Sequence, residues 1–150
     1  MYRIRGSRVE LLLVHPGGPF WKTKDAGAWS IPKGQICAEE DELEAARREF
    51  FEETGVLPEG EFSLLGEIVQ KGGKVVRAWA FEGDYDPATL KSNTFMLEWP
   101  PRSGKQQEFP EIDRAAFFTP EEARKRINPA QAEFIDALER MTGQRTRETD

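Results

Sequence analysis

Cysteine and histidine are nearly missing from this chain, which has one of each, Cys37 and His15. A single cysteine excludes an internal disulfide and fits a reducing compartment. One histidine beside one cysteine leaves no ligand cluster for zinc. Long apolar runs are missing too, with no stretch near the roughly 18 residues of a membrane span. The opening Met1-Tyr2-Arg3-Ile4-Arg5 has no hydrophobic region of signal-peptide type. These absences lead to the expectation of a cytoplasmic protein without membrane contact. Cations are the minority charge: 21 Lys and Arg against 27 Asp and Glu give a net charge of −6. That balance argues against a stable nucleic-acid complex. Internal repeats and linker-like stretches are also lacking. Residues 1–150 therefore read as a single domain, monomeric or homodimeric, large enough for a real core.

What is present is organised around Gly34–Val56. Between its two terminal glycines, Gly34 and Gly55, lies helical composition without proline or glycine, and Gly55 stands where a left-handed C-terminal residue is expected. At 3.6 residues per turn, Leu43, Ala46 and Phe50 form a core-facing stripe. Glu49, Glu52 and Glu53 fall at i, i+3 and i+4 and share a neighbouring face, where like charges repel by a few tenths of a kcal/mol per pair. Taken alone, such a face is usually just solvated. It also suits a hard divalent cation, which takes oxygen ligands. Arg48, with Glu44 at i−4 and Glu52 at i+4, is placed to pin a carboxylate.

Along the rest of the chain, Arg8–Val14 reads as a buried strand ending at His15-Pro16-Gly17-Gly18-Pro19. His15 is expected there as a hydrogen-bonding strand end. Phe20-Trp21-Lys22-Thr23-Lys24 reads either as a packed surface loop or as a contact for a substrate's base and phosphates. Ala28–Ile31 is a short strand candidate. Glu61–Gln70 and Lys74–Glu82 form a hairpin about Lys71-Gly72-Gly73. Its second strand groups Arg77, Trp79 and Phe81 on one face, and an arginine there needs an anionic partner. Asn93–Trp99 is a further strand, and residues 100–110 form the longest irregular segment. Arg114–Phe118 is the last strand. Thr119-Pro120-Glu121-Glu122 starts a helix with Thr119 as its N-cap. Pro129-Ala130 opens a final helix with Phe134, Ile135 and Leu138 on its apolar face, and Met141–Asp150 is expected to fray.

The spacing Gly34, Glu40, then Arg48-Glu49-Phe50-Phe51-Glu52-Glu53-Thr54-Gly55-Val56 matches the Nudix box at every defined position. Its seven fixed residue types coincide by chance at about one starting point in 10⁸. The chain thus resembles the Nudix hydrolases. The resemblance implies an α+β fold, an α/β/α sandwich with a central mixed β-sheet. It implies a phosphoanhydride hydrolase using Mg²⁺ or Mn²⁺ on a nucleoside diphosphate linked to another group. Carried over residue by residue, Glu49, Glu52, Glu53 and the Gly34 carbonyl would hold metal. Arg48 would orient a carboxylate, and Glu40 would brace the loop. The base would be Glu53 or a carboxylate outside the box, with Glu108 favoured over Glu111 and Glu98.

The substrate is expected to be a nucleoside or dinucleoside polyphosphate, with Lys33, Arg77, Trp79 and Trp21 as contacts. The entry Trp29-Ser30-Ile31-Pro32-Lys33-Gly34 resembles that of members acting on dinucleoside polyphosphates. Two other readings stand beside this one: a hydrolase of a non-nucleotide diphosphate, and a Nudix-fold binding or regulatory module without turnover.

Overall fold

The structure, a computed structural model, describes residues 1–32, 41–70 and 72–143. Lys33, Gly34, Glu40, Lys71 and the segment 144–150 lie outside the described residues. In chain order the elements are β1 (Tyr2–Arg5), β2 (Arg8–Pro16), α1 (Glu42–Thr54), β3 (Ser63–Val69), β4 (Val75–Ala80), β5 (Thr94–Glu98), β6 (Gln106–Pro110), β7 (Ile112–Phe118), α2 (Pro120–Arg126) and α3 (Ala132–Thr142).

The central strand is β2, paired antiparallel with β1 on one side and β7 on the other. Its continuous apolar run is explained by cover on both faces. Val9, Leu11 and Leu13 point to one side, into a cluster with Trp29, Ala123, Ile127, Ile135 and Leu138, so α2 and α3 close that face. Leu12 points to the other, against Phe50 of α1 and Phe81. These two helical layers about one sheet are the sandwich expected from the sequence. Parallel pairing enters where Tyr2 bridges to Glu82, through Tyr2 N–H to the Phe81 carbonyl at 3.0 Å and Gly83 N–H to the Tyr2 carbonyl at 2.9 Å. Among the described residues no helix is long and apolar enough to cross a membrane.

Helix boundaries follow local chemistry. The Thr119 hydroxyl accepts from Glu122 N–H with Pro120 in the first turn, as the sequence suggests. Asp41 caps α1 by accepting from Glu44 N–H, a boundary not assigned from sequence. Gly55 has φ 81° and donates its N–H to the Phe51 carbonyl. A Cβ there would lie 2.9 Å from Lys91 Cβ, so both conformation and contact require glycine.

Several expectations are corrected. Residues 28–31 form only isolated bridges, Val14 to Ser30 and Trp29 to Ile127, because the segment is too short for a ladder. Residues 100–110 are not wholly irregular. A turn through Ser103 leads into β6, which pairs antiparallel with β5, and Phe95 lies opposite Phe109. The polar run Gln106-Gln107-Glu108 hid this strand, since both its faces are largely solvated. In β4 the buried face carries Val76 and Ala78 with Ala80, and Arg77 points to solvent. Glu44 pairs with Arg47 rather than Arg48, at 3.2 Å. The segment after Asn128 begins with a 3-10 turn, Pro129–Gln131, and α3 then holds to Thr142, so fraying does not start at Met141.

Candidate active site

Helix α1 places its carboxylates by periodicity and its stripe of Phe50, Leu43 and Ala46 by the need to cover the sheet. The carboxyl-terminal turn would leave backbone carbonyls unpaired. The segment after the 3-10 turn Pro87–Thr89 satisfies them: Lys91 N–H donates to the Thr54 carbonyl at 3.1 Å and Asn93 N–H to the Glu52 carbonyl at 2.9 Å. Glu111 N–H in turn donates to the Asn93 carbonyl at 2.8 Å. A backbone relay therefore ties the acidic turn of α1 to the start of β7.

The side chains crowd on that turn. The Arg48 guanidinium lies 3.0 Å from Glu49 and 3.1 Å from Glu52. Burial pushes the Glu49 carboxyl above its ordinary value. Arg48 opposes that rise, while the Glu52 and Glu111 carboxylates add to it. Glu53 is buried one helical turn beyond Glu49. Glu49 thus feels the charges of Glu52 and Glu111 together with the positive charge of Arg48.

Among the described residues no three carboxylate, histidine or cysteine side chains are gathered closely enough to hold a metal ion. The donor chemistry nonetheless fits one. The ligands are all oxygen, Arg48 already draws two of them to a single cation, and the negative surplus suits a hard divalent ion. Gly34, the expected carbonyl donor, lies outside the described residues, as does Lys33.

The remaining expected site residues separate. Glu108 is exposed on β6 opposite Met96, whereas Glu111 is the loop carboxylate whose charge reaches Glu49. Sequence alone favours Glu108 over Glu111; the backbone relay through Asn93 that brings Glu111 to the acidic turn is a tertiary feature. Arg77 is exposed and already paired, with Glu67 at 2.8 Å and Glu42 at 2.5 Å. Trp79 lines an apolar cavity beneath α1 with Leu43, Ala46, Phe50 and Leu65. Trp21 is exposed, with Lys24 Nζ 5.1 Å above its ring.

His15 is fully buried and bonded at both nitrogens. Nε2 donates to the Lys24 carbonyl at 2.6 Å, and Nδ1 lies 2.8 Å from the Asp113 carboxylate. It anchors structure, as expected of a hydrogen-bonding strand end.

A family model described as the NUDIX domain matches residues 1–138. No curated protein matches the chain by sequence. Solved structures do match in shape. A Caenorhabditis elegans Ap4A hydrolase in a binary complex superposes with a TM-score of 0.66 at 19% identity, over 95% of this chain and 94% of that one. The NUDIX domain of Shewanella oneidensis NrtR, complexed with ADP ribose, gives 0.61 at 14% identity over 93% and 82%. A MutT protein from Methanosarcina mazei gives 0.54 at 20% identity over 93% and 91%. At these identities the likeness is one of fold.

Proposed function

From the premise that the chain belongs to the Nudix hydrolase family, we propose that it is a divalent-metal-dependent pyrophosphohydrolase of a nucleoside or dinucleoside polyphosphate. The observation that carries this reading is the crowding on α1, where Glu49 takes the field of Glu52 and Glu111 with Arg48 as counter-charge. Structural neighbours that are an Ap4A hydrolase and an ADP-ribose complex agree with an adenine-nucleotide type of substrate.

Glu49, Glu52 and Glu53, with the Gly34 carbonyl, are the residues that would hold Mg²⁺ or Mn²⁺. Such an ion supplies positive charge to the bridging phosphate oxygens and lowers the pKa of the attacking water. The chain itself is acidic and cannot draw a polyphosphate by net charge. Arg48 keeps two carboxylates oriented on one side of the helix. Glu111, rather than Glu108, is assigned the water's proton, because its backbone is tied through Asn93 to Glu52 and its charge is sensed at Glu49. Lys33, beside Gly34 in sequence, contributes phosphate contact. Arg77 is given no such role while Glu42 and Glu67 hold it.

The test is a side-by-side comparison of kcat/KM for diadenosine tetraphosphate, the common nucleoside triphosphates, ADP-ribose and a non-nucleotide diphosphate, each with Mg²⁺ and with excess chelator. Hydrolysis of a nucleotide that disappears in chelator is the expected result. Full activity in chelator would overturn metal dependence. A non-nucleotide substrate preferred by more than about tenfold, roughly 1.4 kcal/mol in transition-state binding, would overturn the substrate class.

A further inference from the structure

Residues 28–31 lead into the segment 34–56 and are held on both sides. Ser30 and Val14 exchange backbone bonds, Val14 N–H to the Ser30 carbonyl at 2.9 Å and Ser30 N–H to the Val14 carbonyl at 3.0 Å. On the other side Trp29 N–H donates to the Arg126 carbonyl at 3.0 Å, and the Trp29 carbonyl accepts from Asn128 N–H at 2.7 Å, which makes the parallel bridge to Ile127. A parallel ladder would go on by giving Ile31 N–H to the Asn128 carbonyl. That carbonyl is taken: Gln131 N–H reaches it at 2.8 Å and closes the 3-10 turn Pro129–Gln131. The Gln131 side chain supplies the missing acceptor, its Oε1 lying 3.1 Å from the Ile31 nitrogen.

Gln131 is fully buried. Its Nε2 finds no hydrogen-bond partner among the described residues. An amide that leaves a buried donor open is a poor way to fill space, where a methionine of similar length would bring no orphan. What the amide brings is an acceptor for Ile31. Pro32 has no N–H, so Ile31 carries the last backbone donor before Lys33 and Gly34. Gly34, the expected carbonyl ligand, follows Ile31 by three residues, at most about 11 Å of chain. Ile31 and Pro32 also line the cavity beneath α1, together with Leu43, Ala46 and Phe50 of that helix. The grip of Gln131 is thus set under the helix that bears Glu49, Glu52 and Glu53.

We propose that Gln131 is a positioning residue for divalent metal: by holding Ile31 N–H it fixes the chain that enters residues 34–56, and so strengthens the hold of the acidic helix on the ion. It acts through Ile31 and not by contact with the metal. The inference rests on the metal-dependent pyrophosphohydrolase reading and adds to it a residue 100 positions from Ile31 in sequence. Loss of an outer-shell partner weakens metal binding by about 10–100-fold. Such coupling is reciprocal, so bound metal should tighten the bond between Gln131 and Ile31 by the same factor.

The experiment has two readings. Mn²⁺ titration followed by electron paramagnetic resonance compares wild type, Gln131→Met and Ile135→Val, the last a control that trims a buried side chain of α3. Amide hydrogen exchange by NMR follows Ile31 in wild type and Gln131→Met, with and without saturating Mg²⁺. Gln131→Met should weaken Mn²⁺ binding by about tenfold or more, and Ile135→Val should bind as wild type does. Mg²⁺ should slow Ile31 exchange in wild type by a similar factor and leave it unchanged in Gln131→Met. Normal Mn²⁺ affinity in Gln131→Met would overturn the inference, as would an equal loss in Ile135→Val or a wild-type Ile31 exchange rate that Mg²⁺ does not alter. The last measurement needs no variant, so it decides even where Gln131→Met fails to fold. A wild type that binds no Mn²⁺ would refute the metal-dependent reading and this inference with it. Wild-type binding that Gln131→Met leaves intact would refute the inference alone.

Discussion

Replacing Arg48 by methionine keeps the aliphatic stem and removes the charge that Glu49 and Glu52 share. The side chains of Arg48, Glu49 and Glu52 are 30%, 13% and 32% exposed. Fully exposed pairs contribute about 0.2–1 kcal/mol, while breaking a buried pair costs about 3–5 kcal/mol. A site exposed by these fractions falls between, and discounting for solvent puts the loss at about 1–2 kcal/mol. In a domain of this size each kcal/mol moves the melting temperature by about 2–4 °C. Arg48→Met in excess chelator should therefore melt about 2–8 °C below wild type. Adding Mg²⁺ should then raise the variant's melting temperature by more than the wild type's, because the ion meets the same carboxylates without a competing guanidinium. Differential scanning fluorimetry on both proteins, in chelator and across a Mg²⁺ series, reads both effects. Equal melting in chelator, or an identical Mg²⁺ response, would refute the idea that Arg48 acts as a resident counter-charge for a cation site.

Glu52→Gln and Glu53→Gln should each lower kcat by about 10²–10³, as loss of an electrostatic transition-state contact does elsewhere; Glu42→Gln on the same helix should leave kcat unchanged, and equal losses at all three would remove any special role for the cluster. Glu111→Gln should lower kcat by about 10²–10⁴, as loss of a general base does, while Glu108→Gln leaves it unchanged; the reverse pattern would return the base to β6. Asp25 accepts from Trp29 Nε1 at 2.7 Å and pairs with Arg126, and these contacts hold its carboxyl below the ordinary value of 3.8. A lowered folded-state value means the contribution is present above the unfolded value and lost as pH falls through the folded one. The melting-temperature gap between wild type and Asp25→Asn should thus be constant above about pH 5 and close in more acid solution. A gap that persists unchanged to pH 2 would contradict this.

Local signals carried far in this chain. The alternation Val9, Leu11, Leu13 against Leu12, the Thr119-Pro120 start and the Gly55 stop each express a rule that operates within a few residues, and each is obeyed in the fold. Failures cluster where a distant partner decides. β6 is polar along most of its length and becomes a strand because β5 supplies its ladder. Arg77 shares alternation with Trp79 and Phe81, yet it is exposed because Glu42 of α1 and Glu67 of β3, distant in sequence, pair with it at the surface. The box exposed Glu49, Glu52 and Glu53 through spacing alone. Glu111 joins the site only through backbone hydrogen bonds with Asn93 and Gly17, 18 and 94 residues away in sequence.

Because His15 is the only histidine in the chain, its imidazole is an isotopic label that needs no engineering. One set of ring ¹⁵N and ¹³C resonances will come from the protein, and both ring nitrogens are spoken for, one by Asp113 and one by the Lys24 carbonyl. Any event that unseats the loop bearing Phe20 and Trp21 must break the second bond and shift a signal that cannot be confused with another. The molecule carries its own gauge of loop position, readable in solution while nucleotides are titrated.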